Sequence, residues 1–188
     1  MTITDTREKI MAAARRMVQA RGYNALSFRE LAAEIGIKSA SVHYHFPTKG
    51  DLGAALAHRY TEDADDIFEG FLADAPAREA CFRNYTKVFR AALVDDNRMC
   101  LCGIMAAEHQ DLPAQVSAEV DRFTDLNVRW LMKALSSRRP DASDDELRQQ
   151  ALAIFAAIEG AQLLARGQGD IGLYDRAVEM YHKCGLIP

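Results

Sequence analysis

An all-α fold follows from three features of the sequence. Apolar residues recur at helical spacing along most of the 188 residues. No run of alternating apolar and polar residues marks a strand, and no internal repeat or low-complexity tract interrupts the pattern. Capping residues, glycines and prolines divide the chain into successive helical segments.

The first helix is predicted over about Asp5–Arg21, burying Ile10, Ala14, Met17 and Val18, with Gly22 placed to end it in a left-handed conformation. Ser27 and Glu30 form the S-x-x-E pattern of a capping box, opening a short second helix that ends near Gly36. A third helix starts at Ser39 and stops before Pro47, because proline disfavours a helical residue ahead of it and has no N–H to donate. Thr48 caps a long fourth helix, with Asp51 favourably placed in its first turn. That helix carries Leu52, Leu56, Tyr60, Ala64, Ile67, Phe68 and Phe71 on one broad apolar face and runs to about Ala73.

Further helices are expected at about 76–94, 99–109, 113–136, 143–167 and 171–184. Pro113 suits a first helical turn, the polar stretch 137-SRRPDAS-143 breaks the pattern, and Ser143 with Glu146 repeats the capping box. The helix at 143–167 is apolar on two faces: Leu147, Ala151, Ile154, Phe155 and Ile158 form one stripe, and Leu152, Ala156, Gly160, Leu163 and Leu164 cover much of the other. Such a helix is buried on two sides, either as a central core helix or between its own domain and a second copy of the chain. A homodimer through the helices near 143–167 and 171–184 is the expectation.

Composition narrows the function classes. A chain that is 49% hydrophobic and 27% charged is globular, and its length supports a core without disulfides or metal. No segment approaches the roughly 20 uninterrupted apolar residues of a membrane helix, and the N-terminus lacks a signal-peptide core, so a cytoplasmic protein with no membrane partner is expected. The cysteines Cys81, Cys100, Cys102 and Cys184 are then expected to be reduced. The net charge of −4 is unevenly spread: residues 1–50 carry 8 Lys/Arg against 4 Asp/Glu, and residues 51–188 carry 15 against 23. A basic head on an acidic body points to a polyanion that approaches only the N-terminal part.

Residues Ser27 to Phe46 read as helix, tight turn at 35-IGIK-38, and short second helix, the helix-turn-helix arrangement. A DNA major groove, about 12 Å wide, admits one helix whose outer side chains meet base edges and phosphates. In 38-KSASVHYHF-46, small Ser39, Ala40 and Ser41 permit close approach, and His43, Tyr44 and His45 offer donors and flat faces. Val42 and Phe46 can anchor the helix.

The stretch 27-SFRELAAEIGIKSASVHYHFPTKGDL-52, preceded by an amphipathic helix ending 21-RGY-23, closely resembles the tetracycline-repressor-like (TetR) family of bacterial regulators. The rest of the chain matches in helical layout and length. One departure is His43, where such motifs more often carry tyrosine. The resemblance implies an N-terminal DNA-binding domain, residues 1–48, and an effector-binding and dimerisation domain, residues 49–188. It implies that Ser27, Arg29, Ser39, Ser41, His43, Tyr44, His45 and Lys49 face double-stranded operator DNA. Lys38, Ser39, Ser41 and His43 are the candidates for base-edge or nearby contacts, and Tyr44, His45 and Lys49 for phosphates. The alternatives are that Arg29 pairs with an acidic neighbour and that Tyr44 packs against the first helix.

The resemblance also implies a pocket for a small effector whose binding releases the operator. Candidate lining residues are Tyr85, Phe89, Cys102, Glu108, His109, Phe123 and Trp130. If 99–109 is one helix, Cys102 and His109 share a face, while Cys100 lies about 200° away from Cys102. Each residue has a plainer reading: the aromatics as core, the cysteines as buried small hydrophobes, Glu108 and His109 as solvated at a helix end. No metal-ligand spacing, phosphate loop or nucleophile–base–orienter set is present, so neither a metal, a cofactor nor an enzyme is expected. A helical protein-interaction module would explain the two-faced helix but not the basic head.

Overall fold

The computed structural model describes residues 3–73 and 75–188, with nothing said of the side chains of residues 3, 4 and 75–79. Helices account for all the regular structure among the described residues: α1 (Ile3–Arg21), α2 (Phe28–Ile35), α3 (Ser39–His45), α4 (Lys49–Gly70), α5 (Ala75–Val94), α6 (Leu101–Ala107), α7 (Ala114–Ser136), α8 (Asp144–Gln168) and α9 (Ile171–Lys183). Contacts divide the chain into two units, residues 1–61 with 101–123, and residues 62–100 with 124–188. Both α4 and α7 begin in the first unit and end in the second.

In the first unit, Ile10, Ala14, Met17 and Val18 of α1 are buried as their spacing predicts, together with Leu31, Val42, Phe46, Leu52 and Leu56. Leu101 and Met105 of α6 and Val116 of α7 add to that core. In the second unit, α5, α8 and α9 pack around Phe82, Tyr85, Leu131, Leu135, Ile154, Ile158 and Tyr174. Arg90 of α5 forks onto Asp175 of α9 with bonds of 2.7 and 2.9 Å.

Several expectations are corrected. The α2 box is half made: the Ser27 hydroxyl accepts the Glu30 N–H at 3.4 Å, but the Glu30 carboxylate takes Arg21 at 2.8 Å, a charged donor outcompeting the neutral amide. The box at α8 is complete, Ser143 and Glu146 each satisfying the other's N–H. Helix α4 stops at Gly70 rather than Ala73, its last turn tightening as Phe71 and Leu72 bond back to Phe68 and Glu69. Its apolar face is narrower than predicted, since Ile67 is 45% exposed.

The segment expected as one helix over 99–109 is α6 followed by a 3₁₀ turn, His109–Asp111, leading into Pro113. Cys102 and His109 therefore do not share a helix face. Before α6 the chain reverses through Asp96 and Asn97, both at positive φ, a conformation these two residue types tolerate. On α8 the inner stripe Leu147, Ala151, Ile154 and Ile158 is buried, while Leu152, Leu163 and Leu164 stand exposed on the single chain.

Candidate nucleic-acid interface

The interface rests on two short helices and the turn between them. The chain leaves α2 through Gly36, whose φ of +73° lets Ile37 bond the Ala32 carbonyl at 2.9 Å and reverses direction within two residues. Helix α3 is then held from inside by Val42, 0% exposed, and Phe46, 3% exposed, four positions apart and so on one face. Burying each of these side chains stabilises the head by about 1.5–3 kcal/mol. The guanidinium of Arg7 lies over the Phe46 ring, 5.1 Å from its centroid.

With Val42 and Phe46 inward, the other positions of α3 are exposed or half-buried. Tyr44 is 73% exposed. Lys38, Ala40 and His43 are exposed, and Ser39, Ser41 and His45 half-buried. Arg29 is exposed on α2, where the two acids of that helix are engaged elsewhere, Glu30 with Arg21 at 2.8 Å and Glu34 with Arg16 at 2.7 Å. Tyr44 meets the edge of His45, 5.2 Å between centroids, and is not packed on α1.

Three predicted DNA contacts have internal partners. Ser27 caps α2. His43 lies edge-on to Phe28 at 4.8 Å with Nδ1 3.4 Å from the Pro47 carbonyl. Lys49 donates to the Asn24 carbonyl at 3.0 Å and sits 4.6 Å from the Tyr23 ring centroid. Burial lowers the Lys49 pKa, and the Glu108 charge pulls it back up. Thr48 and Asp51 cap α4 reciprocally, the Asp51 carboxylate accepting the Thr48 N–H at 2.9 Å while its own N–H reaches the Thr48 hydroxyl at 3.1 Å. The Thr48 hydroxyl also donates to the Asp51 carboxylate at 2.8 Å, and this bond, the one from the Thr48 N–H and a further one from Gln115 hold the carboxyl below the usual range.

A clasp that sequence reading missed sits behind this face. Glu108, just past α6, accepts the backbone N–H groups of Tyr23 and Asn24, and the Asn24 side chain donates to Asp111 at 2.8 Å. Gly22 makes room for it: a Cβ there would lie 2.5 Å from a Glu108 carboxylate oxygen, on a backbone with φ of +88°. Glycine is the residue that fits both demands.

The candidate effector residues divide between the units. Tyr85, Phe89 and Trp130 meet in the second: Tyr85 stacks on Trp130 at 5.2 Å and 13°, and Phe89 lies 5.1 Å from Tyr85. The polar ends of Tyr85 and Trp130 are paired, Tyr85 with Asn127 at 2.8 Å and Trp130 with the Phe68 carbonyl at 2.7 Å. Cys102, Glu108, His109 and Phe123 belong to the first unit. There Phe123 packs on Tyr60 at 5.3 Å, His109 is exposed beside the Ser117 hydroxyl at 3.3 Å, and Cys102 is buried.

The second unit also buries polar groups that sequence reading passed over. Gln162 accepts the Cys100 N–H at 2.9 Å and donates to the Phe89 carbonyl at 2.6 Å. Both oxygens of Glu159 are buried. The signal was there: Glu159 and Gln162 are the charged and amide residues inside the apolar run 151-ALAIFAAIEGAQLLA-165. Among the described residues no three His, Cys, Asp or Glu side chains gather as metal ligands, and no helix is long and apolar enough to cross a membrane.

Comparison with known proteins follows this geometry. Residues 10–56 match the family model described as bacterial regulatory proteins, tetR family. Over 47 residues the chain is 40% identical to the HTH-type transcriptional regulator LmrA of Bacillus subtilis (strain 168), a stretch spanning 25% of this chain and 25% of that protein. Among solved structures, it is similar to a TetR transcriptional regulator from Legionella pneumophila, with a TM-score of 0.89 and 30% identity across 100% of both chains. It is similar also to a TetR-family transcriptional regulator from Agrobacterium tumefaciens, with a TM-score of 0.88 and 25% identity over 97% of this chain and 98% of the other.

Proposed function

This chain belongs to the TetR family of bacterial regulatory proteins and is a DNA-binding transcriptional regulator rather than an enzyme, and on that basis we propose that it is a cytoplasmic, homodimeric repressor released from a palindromic operator by a small-molecule effector. The observation that carries the DNA reading is the division of α3: Val42 and Phe46 buried, Tyr44 73% exposed, in a basic head on an acidic chain. Arg29, Lys38, Ser39, Ser41, His43, Tyr44 and His45 form the surface offered to the duplex. Arg29 and Lys38 supply charge to phosphates and edges, and the small Ser39 and Ser41 admit close approach. Ser27 and Lys49 take part with their internal bonds exchanged for phosphate contacts. Residues 1–48 act as the reading head and 49–188 as the sensing and pairing body.

Dimerisation is assigned to α8 and α9. Leu152, Leu163 and Leu164 on α8 and Met180 on α9 are exposed large apolar side chains, and a two-fold partner presenting the same surface would cover them. A dimer of such heads reads half-sites about 34–36 Å apart, or multiples of that. An effector that favours another separation lowers operator affinity, and a coupling of about 1–3 kcal/mol corresponds to roughly 5–150-fold. Helix α4, which begins at Lys49 beside the motif, is the natural carrier of that change.

The test is binding to a pool of random duplexes at graded salt, with the bound fraction sequenced. Enrichment of a palindrome, with affinity falling steeply as salt rises, is the expected result. A folded dimer that enriches no motif even at low salt contradicts the proposal.

A further inference from the structure

In the second unit, one acid is left over. Glu159 lies on α8 with both carboxylate oxygens buried, no nitrogen or oxygen donor among the described residues pairs with them, and the Cys100 thiol, a weak donor, is the group that favours its charge. The polar groups around it are committed to others. The Tyr85 hydroxyl donates to Asn127 at 2.8 Å, and the Tyr174 hydroxyl to the Thr86 carbonyl at 2.6 Å. Three residues along α8, the Gln162 amide is spent on Cys100 and Phe89. Burial, and after it the nearby Glu159 charge, raises the pKa of both tyrosines. Burial pushes the Glu159 carboxyl up to about 7, the Cys100 thiol drawing it the other way.

A buried acid with only a weak thiol donor beside it is a strong discriminator: it disfavours anything that brings no donor and rewards anything that brings a strong donor or a positive charge. Tyr85, close enough to feel the Glu159 charge, belongs to a cluster of rings. Phe68, Phe89 and Trp130 stand 5.2, 5.1 and 5.2 Å from the Tyr85 ring. Ring faces attract a cation through their quadrupole, and a carboxylate attracts it directly. An anionic group meets neither attraction.

We propose that the second unit takes a small organic cation, an aryl- or alkylammonium, as its effector, with Glu159 as counter-charge and the rings clustered on Tyr85 as the apolar wall. This rests on the reading of that unit as the effector-sensing part of a released repressor, and it adds the ligand's chemical class. Binding brings the positive group to the Glu159 oxygens and stabilises the ionised carboxylate. The cation takes the place of the carboxyl proton, which leaves to solvent. A neutral ligand of the same size gains the ring contacts alone.

The experiment uses the 188-residue chain and its one tryptophan, Trp130, as reporter. Benzyltrimethylammonium, benzyl alcohol and phenylacetate are titrated against tryptophan emission, with the wild type and with Glu159→Gln. Saturable quenching by the ammonium, preferred over both others, weakened about tenfold or more in Glu159→Gln while the alcohol is unchanged, and accompanied by release of bound duplex, is the expected result. The preference within the wild type tests the idea without the variant, and circular dichroism verifies that the variant folds. No saturable response to the ammonium, equal affinity in Glu159→Gln, or binding without duplex release overturns the proposal. Release by the alcohol or by phenylacetate instead leaves the repressor reading standing and removes the cation. Failure to bind any duplex removes the repressor reading, while the fluorescence titration still decides whether Glu159 receives a cation.

Discussion

Glu108 accepts the backbone N–H groups of Tyr23 and Asn24 across separations of 85 and 84 residues. The turn that positions the reading helices is thereby tied to the end of α6, within one unit. Glu108→Ala strips both N–H groups of their acceptor and also removes the negative charge that raises the Lys49 pKa. The expected loss is about 1–3 kcal/mol, the desolvation penalty of unsatisfied backbone donors. Urea unfolding monitored by circular dichroism checks it, and an unchanged midpoint would show that water replaces the carboxylate without penalty.

Gly22→Ala is expected to destabilise the same turn by about 1–3 kcal/mol, because a non-glycine residue is strained at positive φ and its Cβ meets the Glu108 carboxylate. Combined with Glu108→Ala the steric part disappears, so the two losses should add to less than their sum. A double-mutant cycle measures the difference.

Tyr44→Ala should leave thermal stability within about 0.5 kcal/mol, since the ring is 73% exposed. Operator affinity should fall by roughly tenfold or more, the weight of one hydrogen bond to a charged phosphate, with the salt slope kept because the phenol carries no charge. Arg29→Ala should instead weaken all duplexes alike and reduce the slope of log affinity against log salt by about one. Fluorescence anisotropy at several salt concentrations separates the two signatures, and wild-type affinity in both variants would remove this face from the interface.

Replacing Leu163 and Leu164 together by Glu puts two charges on the exposed face of α8, where Leu164 is 65% exposed in the single chain. Sedimentation should find a monomer with wild-type helix content and much weaker operator binding, because each head then pays separately for its half-site. A dimer of normal affinity would move the interface elsewhere.

Glu159 yields a pH dependence with a definite sign. Its carboxyl rises from an ordinary 4.5 to about 7 on folding, so the folded chain holds a proton that the unfolded chain has lost. Stability from this group is therefore greatest below about pH 4.5 and declines as the pH climbs through about 7, by about 3 kcal/mol in all. Glu159→Gln keeps the shape without the titration, so the gap between the variant's and the wild type's unfolding free energies should open in the variant's favour across that window. A constant gap would mean that the carboxyl titrates normally.

The sequence by itself determined the helices and the motif, because both are written in short-range terms. Capping at Ser27, Thr48 and Ser143, the left-handed Gly36 and the stop at Pro47 act within a few residues, and apolar spacing told Val42 and Phe46 apart from Tyr44. Boundaries slipped where competition was non-local or weak: Arg21 drew Glu30 out of its capping box, and α4 tightened at Gly70. Only the tertiary structure decided which partners lay far apart in the chain. It brought Glu108 to Tyr23 and Asn127 to Tyr85, grouped Phe123 with Tyr60 and Phe89 with Tyr85, and buried Glu159 with no nitrogen or oxygen donor among the described residues. Those outcomes depend on which donors remain once helices have packed, a quantity that no window of sequence contains.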